Sequence, residues 1–395
     1  MKEGFYLRNI KESLSYFIKE TDKILLALCL ITSTFGVLMV QSATRSKLSE
    51  GQLISGDAKT MIFAITLGVC VALVISLVDY EAFVKLTPLI AVVGILMMLF
   101  VFIFGVAPPA RPDAKSWINL GFFYFQPSEL LKIFFIITFS AHLNAVKENI
   151  NSFKNVALLG LHAIIPAGLV VKSGDDGSAL VFILFTLCMI FVAGISWKYL
   201  LAGCVVTLAA IPLLWVKLRD FQKERFIVLV HPELYPNTAY QQNMSLSAIG
   251  SGGFFGQGLF NGAYTQSKSV PENQNDFIFS VVGEELGLFG AIIALGLILS
   301  IIFRIVKIGK RANNDFATYL CYGIGSMIAM QTLINISMCL RLAPVIGITL
   351  PFFSAGGSST LCLYCGIGVI LSVYRSTHNQ KMVHYRVRSV RSPFM

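Results

Sequence analysis

Residues 88–107 read PLIAVVGILMMLFVFIFGVA, twenty positions without a charged side chain. A hydrocarbon core about 30 Å thick is crossed by about 20 predominantly apolar residues in a helix. Backbone groups there have no water to bond, so a helix is the form such a stretch takes. Working outward, nine more apolar stretches of similar length follow the same logic, at about 24–41, 60–78, 127–143, 155–171, 178–195, 199–216, 282–303, 317–338 and 358–374. The composition agrees. Of 395 residues, 55% are apolar and 13% charged, about half the ionic share of a soluble domain, and the mean hydropathy is +0.73. A soluble enzyme and a disordered chain are both excluded. The expected fold class is all-α: a polytopic membrane protein of about ten transmembrane helices, a single domain over 1–395.

The net charge of +10 bears first on topology, because basic residues collect on cytoplasmic loops; no nucleic-acid partner is expected. With ten spans both termini share one side. Eighteen Lys and Arg fall on that side against twelve on the other, five of them in one long loop. Both termini, including segment 1–23 and the basic tail 375–395, are therefore expected in the cytoplasm. Membrane lipid is an expected partner, with Arg386, Arg388 and Arg391 resting on anionic headgroups. The loop between spans seven and eight, 217–281, is then extracytoplasmic. Its aromatic residues among glycines and charges predict amphipathic helices in the interface. The cysteines read as small buried hydrophobes, and the five histidines form no ligand cluster.

Ionisable residues in or beside spans are costly and therefore informative. Pro127 suits a first helical turn. Glu129 and Lys132, three apart, share a face: either an ion pair that eases the helix into the bilayer or the wall of a cavity opening outwards. Glu272, Asp276, Glu284 and Glu285 put four acids near one membrane boundary. Asp276 stands where an N-cap occurs, and a carboxylate beside apolar surface also suits a general base or a cation with oxygen ligands. The run Pro351–Ser359 breaks any helix. It predicts a re-entrant turn or a lining of N–H and hydroxyl groups for a phosphate or sugar.

In order along the chain stand Trp117-Ile, Gln126-Pro-Ser-Glu-Leu-x-Lys132, Ser245-Leu-x-Ala-Ile-Gly-Ser-Gly-Gly253 with Gly256-x-Gly258, Pro271-Glu-x-x-x-Asp276-Phe-Ile-Phe, Gly283-Glu-Glu-Leu-Gly287 and Leu350-Pro-Phe-x-Ser-x-Gly-Gly-Ser-Ser359. Together they resemble the SEDS family (shape, elongation, division and sporulation), whose members include RodA and FtsW. The resemblance implies a peptidoglycan glycosyltransferase that polymerises lipid II, a disaccharide-pentapeptide on undecaprenyl pyrophosphate, at the outer face of the bacterial cytoplasmic membrane. It implies Asp276 as the essential acid, Lys132 as the lysine paired with it, and Glu129, Trp117 and Arg225 as cavity or loop positions. Glu272, Glu285, Ser354, Gly356, Gly357 and Ser358 join them as expected substrate contacts. A divalent cation, Mg or Mn, and a class B penicillin-binding protein are the implied cofactor and partner. Three places depart from the family pattern: Ser173–Ser178, Ala355 and Arg341. Thr265-Gln266 leans towards RodA, whereas Ile348-Thr-Leu-Pro leans towards FtsW.

An α-linked pyrophosphate donor and a β-linked product require attack opposite the leaving group, with a base at the acceptor hydroxyl. Asp276 is the expected base or a metal ligand, while Lys132, Arg225 or a cation would steady the pyrophosphate. The rival readings are a lipid II flippase and a non-catalytic scaffold for the penicillin-binding protein.

Overall fold

The computed structural model describes residues 20–48, 51–107, 115–121 and 124–390, apart from the side chains of 214 and 379–390. Most of segment 1–23, and the side chains of Arg386, Arg388 and Arg391, lie outside what is described.

A helix stands at each of the ten apolar stretches. These are α1 (Lys23–Ala43), α2 (Gly56–Leu77), α3 (Tyr80–Phe104), α4 (Pro127–Val146), α5 (Phe153–Lys172), α6 (Asp176–Val192), α7 (Trp197–Lys217), then α11 (Ile278–Gly309), α12 (Asp315–Cys339) and α13 (Gly357–Val390). Eight contain segments long and apolar enough to cross a membrane; α6 and the apolar part of α7, Trp197–Leu213, are shorter. The protein is an all-α polytopic membrane protein. The 88–107 stretch starts too late: α3 begins at Tyr80, because the Asp79 side chain accepts from Glu81 N at 3.1 Å and caps the helix there. Pro88 is thus inside the helix rather than at its start.

Small residues let the spans approach, as they do where lipid offers no hydrophobic drive. A Cβ on Gly68 of α2 would lie 2.9 Å from Tyr364 Cβ of α13, and the Tyr364 hydroxyl meets Ser33 Oγ of α1 at 3.0 Å. The N-cap of α1, Asp22, is buried, and its carboxyl also accepts from Arg304 Nε of α11 at 2.8 Å. At the other extreme, no described side chain of α7 is buried.

Between α7 and α11 the long loop folds into α8 (Asp220–Val230), α9 (Pro236–Ser251) and the short α10 (Ala263–Gln266). Helix α9 is seated on the end of α12. Gln242 Nε2 donates to Met338 O (3.2 Å) and Ala343 O (2.7 Å), and Ser245 Oγ donates to Cys339 O (3.0 Å). Met338 and Cys339 are the last residues of α12, where carbonyls run out of intrahelical partners, and Ala343 lies in the turn beyond. A small antiparallel hairpin, β1 (Ile118–Asn119) and β2 (Tyr124–Phe125), precedes α4 and has no counterpart in the sequence reading.

Helix α11 is broken at Gly287, whose φ of 65° and ψ of −163° are open essentially to glycine alone. The break frees backbone groups that cannot be left unbonded in an apolar interior. The loop after α9 supplies partners: Gln257 N and Gly258 N donate to Glu284 O and Glu285 O at 3.0 and 2.9 Å. In return Leu288 N and Phe289 N donate to Gly253 O and Phe254 O at 2.9 and 3.1 Å. The two glycine motifs, about 30 residues apart, are halves of one backbone junction.

Candidate active site

Asp276 is half-buried and immediately precedes the residue that caps α11. The cap position belongs to Phe277, one residue after Asp276. Its surroundings come from two other segments. Asn335, an amide within the apolar α12, donates from Nδ2 to Asp276 O and to Ile348 O, both at 2.7 Å. Ser354 Oγ donates to Asn275 O at 2.7 Å, and Ala355 N donates to Gln274 O at 2.9 Å. Ser354 Oγ also accepts from Leu350 N, so its hydroxyl fastens the Pro351 turn to the acidic loop. Gly347, at φ 73°, lies alongside: a Cβ there would be 3.6 Å from Asp276 Oδ2. The loop holding Asp276 is therefore fixed through its own backbone, at the three consecutive carbonyls of residues 274–276.

The same 343–356 segment reaches the second charged group. Thr349 and Leu350 line a small cavity together with Glu129, Gln331, Ser359 and Thr360. Glu129 and Lys132 form a buried ion pair at 2.8 Å within the first two turns of α4. Among the described residues Glu129 is the lysine's ion-pair partner, which corrects the expected pairing of Lys132 with Asp276. The i,i+3 spacing explains it: Glu129 reaches Lys132 within one helix, so no second element is needed. Ser358 is buried and its Oγ accepts from Gln126 N at 2.9 Å, fixing the start of α13 to that of α4. Gly356 and Gly357 form the entry to α13. A Cβ on Gly356 would lie 2.2 Å from Ser359 Oγ.

The departure at 173–178 proves to be a clamp. Asp175 Oδ2 accepts from Gln126 Nε2 and Ser128 Oγ, both at 2.6 Å, while Oδ1 caps α6 through Ser178 N at 3.1 Å. One carboxyl thus joins the first turns of α4 and α6 directly beneath the Glu129–Lys132 pair in sequence.

The other expected positions lie as follows. Glu272 is exposed and accepts from Asn275 Nδ2 at 2.7 Å, shaping the acidic loop. Trp117 is half-buried and bridges Val106 through its backbone. Arg225 lies on α8 with its guanidinium 5.7 Å from the Phe221 ring. Glu285 belongs to a separate cluster. It is fully buried and its oxygens accept from Ser42 Oγ (2.7 Å), Phe260 N (3.1 Å) and Gln266 Nε2 (3.2 Å). Glu284 likewise takes Tyr264 N, Thr265 N and Thr265 Oγ1 at 2.6–2.9 Å. These two acids hold α10 and its flanks. Arg341 has a φ of 58° and donates to Asn243 Oδ1 at 3.2 Å, tying α9 to the turn after α12.

Sequence reasoning missed Asn335, Asp175 and Asn273. An amide inside an apolar span was a usable signal for Asn335. Asn273, three residues before Asp276, is buried with Nδ2 lacking a hydrogen-bond partner. Among the described residues no three His, Cys, Asp or Glu side chains converge as metal ligands. Asp276 offers one carboxylate, and a cation of the Mg²⁺ kind is ordinarily held by one or two carboxylates together with water and substrate phosphates.

Comparison with known proteins agrees over most of the chain. A family model described as Cell cycle protein, covering FtsW, RodA and SpoVE, matches residues 22–379. The peptidoglycan glycosyltransferase MrdB of Escherichia coli is 31% identical over 363 residues, covering 91% of this chain and 95% of that protein. A probable peptidoglycan glycosyltransferase FtsW of Geobacter metallireducens is 33% identical over 372 residues, covering 92% and 96%. Among solved structures, a chain from work on the structural coordination of polymerization and crosslinking by a peptidoglycan synthase complex superposes with a TM-score of 0.78 at 25% identity, over 91% of this chain and 98% of that one. The rod shape determining protein RodA of Thermus thermophilus has the same fold, with a TM-score of 0.67 at 24% identity and the same coverage. The chain belongs to the FtsW, RodA and SpoVE family of cell cycle proteins.

Proposed function

We propose that this chain, a peptidoglycan glycosyltransferase by its relatives, polymerises lipid II at the outer face of the bacterial cytoplasmic membrane with Asp276 as the general base. The observation that carries the assignment is the placement of Asp276: a half-buried acid on a backbone pinned by Asn335 and Ser354, beside a glycine that leaves it room. A base must be fixed and reachable at once; of the other three acids of the boundary, Glu284 and Glu285 are buried and consumed by internal bonds, and Glu272 is exposed and accepts from Asn275 Nδ2 within its own loop.

In the reaction the acceptor hydroxyl oxygen bonds to the anomeric carbon of the donor sugar. Its proton passes to Asp276, and the anomeric carbon–oxygen bond to the pyrophosphate breaks on the opposite face. Single displacement converts the α-linked donor to a β link. The Glu129–Lys132 pair and Arg225 supply charge near the departing diphosphate, and Asn273 Nδ2 offers an uncommitted donor. In the alternative role, Asp276 would instead hold a divalent cation, Mg²⁺ or Mn²⁺, together with substrate phosphates, and that ion would neutralise negative charge on the leaving group.

Ten spans, cytoplasmic termini and an extracytoplasmic 217–281 loop complete this reading, supported by the excess of Lys and Arg on the terminal side. The likeness to a chain of a peptidoglycan synthase complex supports a class B penicillin-binding protein as partner. The test is polymerisation of purified lipid II by Asp276→Asn, which is isosteric and cannot take a proton. A fall of about 100-fold or more is expected with an unchanged unfolding temperature. Full retained activity overturns the base assignment, and translocation of labelled lipid II in sealed vesicles without polymer would favour a flippase.

A further inference from the structure

At the opposite end of α11 from Gly287, a second polar site is built between α11 and α13. Arg304, Lys307 and Ile308, at i, i+3 and i+4, share one face of α11, and Arg311 follows in the turn beyond its end, its N–H donating to Ile308 O. Tyr374, Thr377 and His378 make the facing stripe on α13. Together they enclose a cavity of about 150 Å³. The acids that meet the arginines of these two helices are matched by them: Asp22 with Arg304 at 2.8 Å and Glu20 with Arg375 at 3.4 Å. Lys307 and Arg311 are exposed and have no ion-pair partner among the described residues. The cavity wall therefore carries two basic side chains, Lys307 and Arg311, whose charges no described acid pairs.

A second observation points to a ligand. Thr377 is only 7% exposed, and its Oγ1 is buried with no hydrogen-bond partner. A helical threonine ordinarily bonds back to the carbonyl one turn earlier, as Thr32, Thr66, Thr186 and Thr332 do here. A buried hydroxyl left without a partner costs more than a made bond gains, because it has given up its water for nothing. It is the arrangement expected where an outside oxygen completes the site.

We propose that this cavity binds the phosphate headgroup of an acidic phospholipid. The phosphate oxygens would lie between Lys307 and Arg311 and accept from Thr377 Oγ1, with Tyr374 and Ile308 against the glycerol end. Phospholipid is favoured over free phosphate because α11 and α13 are both long apolar helices, so the cavity opens at a membrane boundary. The site joins α11, which leads to Asp276, to α13, which leads to the Ser354 turn. It is distinct from both.

The full-length protein in nanodiscs of mixed phosphatidylglycerol and phosphatidylcholine, examined by native mass spectrometry, tests the proposal. At least one phosphatidylglycerol is expected to survive on the wild type. The Lys307→Gln/Arg311→Gln double variant should weaken its retention about fivefold per charge removed. Thr377→Val, which keeps shape and charge, should weaken it by a smaller factor with an unchanged unfolding temperature. A control pair of exposed basic residues elsewhere, Lys85→Gln/Lys154→Gln, should leave retention intact. Equal losses in both double variants would overturn the site in favour of diffuse headgroup attraction. Displacement of the lipid by millimolar inorganic phosphate, with equal stabilisation by phosphate alone, would overturn the lipid in favour of a free anion.

Discussion

Glu285 and Asp276 are nine residues apart, yet their carboxyls do opposite work. Asp276 is left partly open, whereas Glu285 gathers donors from α1 and from the flanks of α10. Glu285→Ala would strand buried N–H and O–H groups and should cost about 2–5 kcal/mol, with Glu285→Gln costing about 1–2 kcal/mol. Thermal unfolding in detergent checks this; a normal unfolding temperature with lost polymerisation would instead make Glu285 a substrate contact. Chelation offers a complementary residue-scale test. With no described cluster of three ligands, EDTA should suppress polymerisation while leaving the unfolding temperature unchanged. At this scale the sequence was informative about which residues are costly and less so about what they do. Asp276, Glu129 and Lys132 stood out as charges in apolar company. The donors that saturate Glu285 lie about 20 and 240 residues away, so its role could not be read from its neighbours. The Lys132 pairing failed for the converse reason: a partner three positions away outcompeted a distant one.

Among the elements, α11 shows most clearly how loop and span depend on each other. A Cβ at Gly287 would approach Gly256 N to 2.4 Å and Phe254 O to 2.6 Å, in addition to the strained φ. Gly287→Ala should therefore cost about 3 kcal/mol or more, combining steric displacement with an unfavourable backbone region. Gly296→Ala, in the same helix with open space around it, should be neutral or raise stability by about 0.5–1 kcal/mol. Unfolding temperatures of the pair decide the matter; equal losses would refute the junction as the cause. Hydropathy made the ten helices legible because a long apolar run has one solution in lipid. It missed the start of α3, which a cap sets, and the β1–β2 hairpin, whose two-residue strands have no period to detect.

For the whole molecule, the lipid-facing surface is as determined as the interior. Side chains such as Ile103, Val206 and Leu213 are 75%, 68% and 71% exposed, tolerable only where hydrocarbon takes the place of water. The excess of Lys and Arg on the terminal side is the expected determinant of which way the bundle faces. With the exposed native cysteines Cys70 and Cys204 replaced by alanine, a membrane-impermeant thiol reagent on intact cells should label Lys268→Cys and spare Lys310→Cys. The reverse pattern would invert the topology and move Asp276 to the wrong compartment. The exchange of backbone bonds between residues 253–258 and the Gly287 break has a corollary for descent. Neither half can be grafted from a cousin without the other, since a mismatched splice would expose bare amides and carbonyls to oil. The two segments are thus bound to be inherited as a matched pair, and lengthening of the chain is confined to stretches outside them.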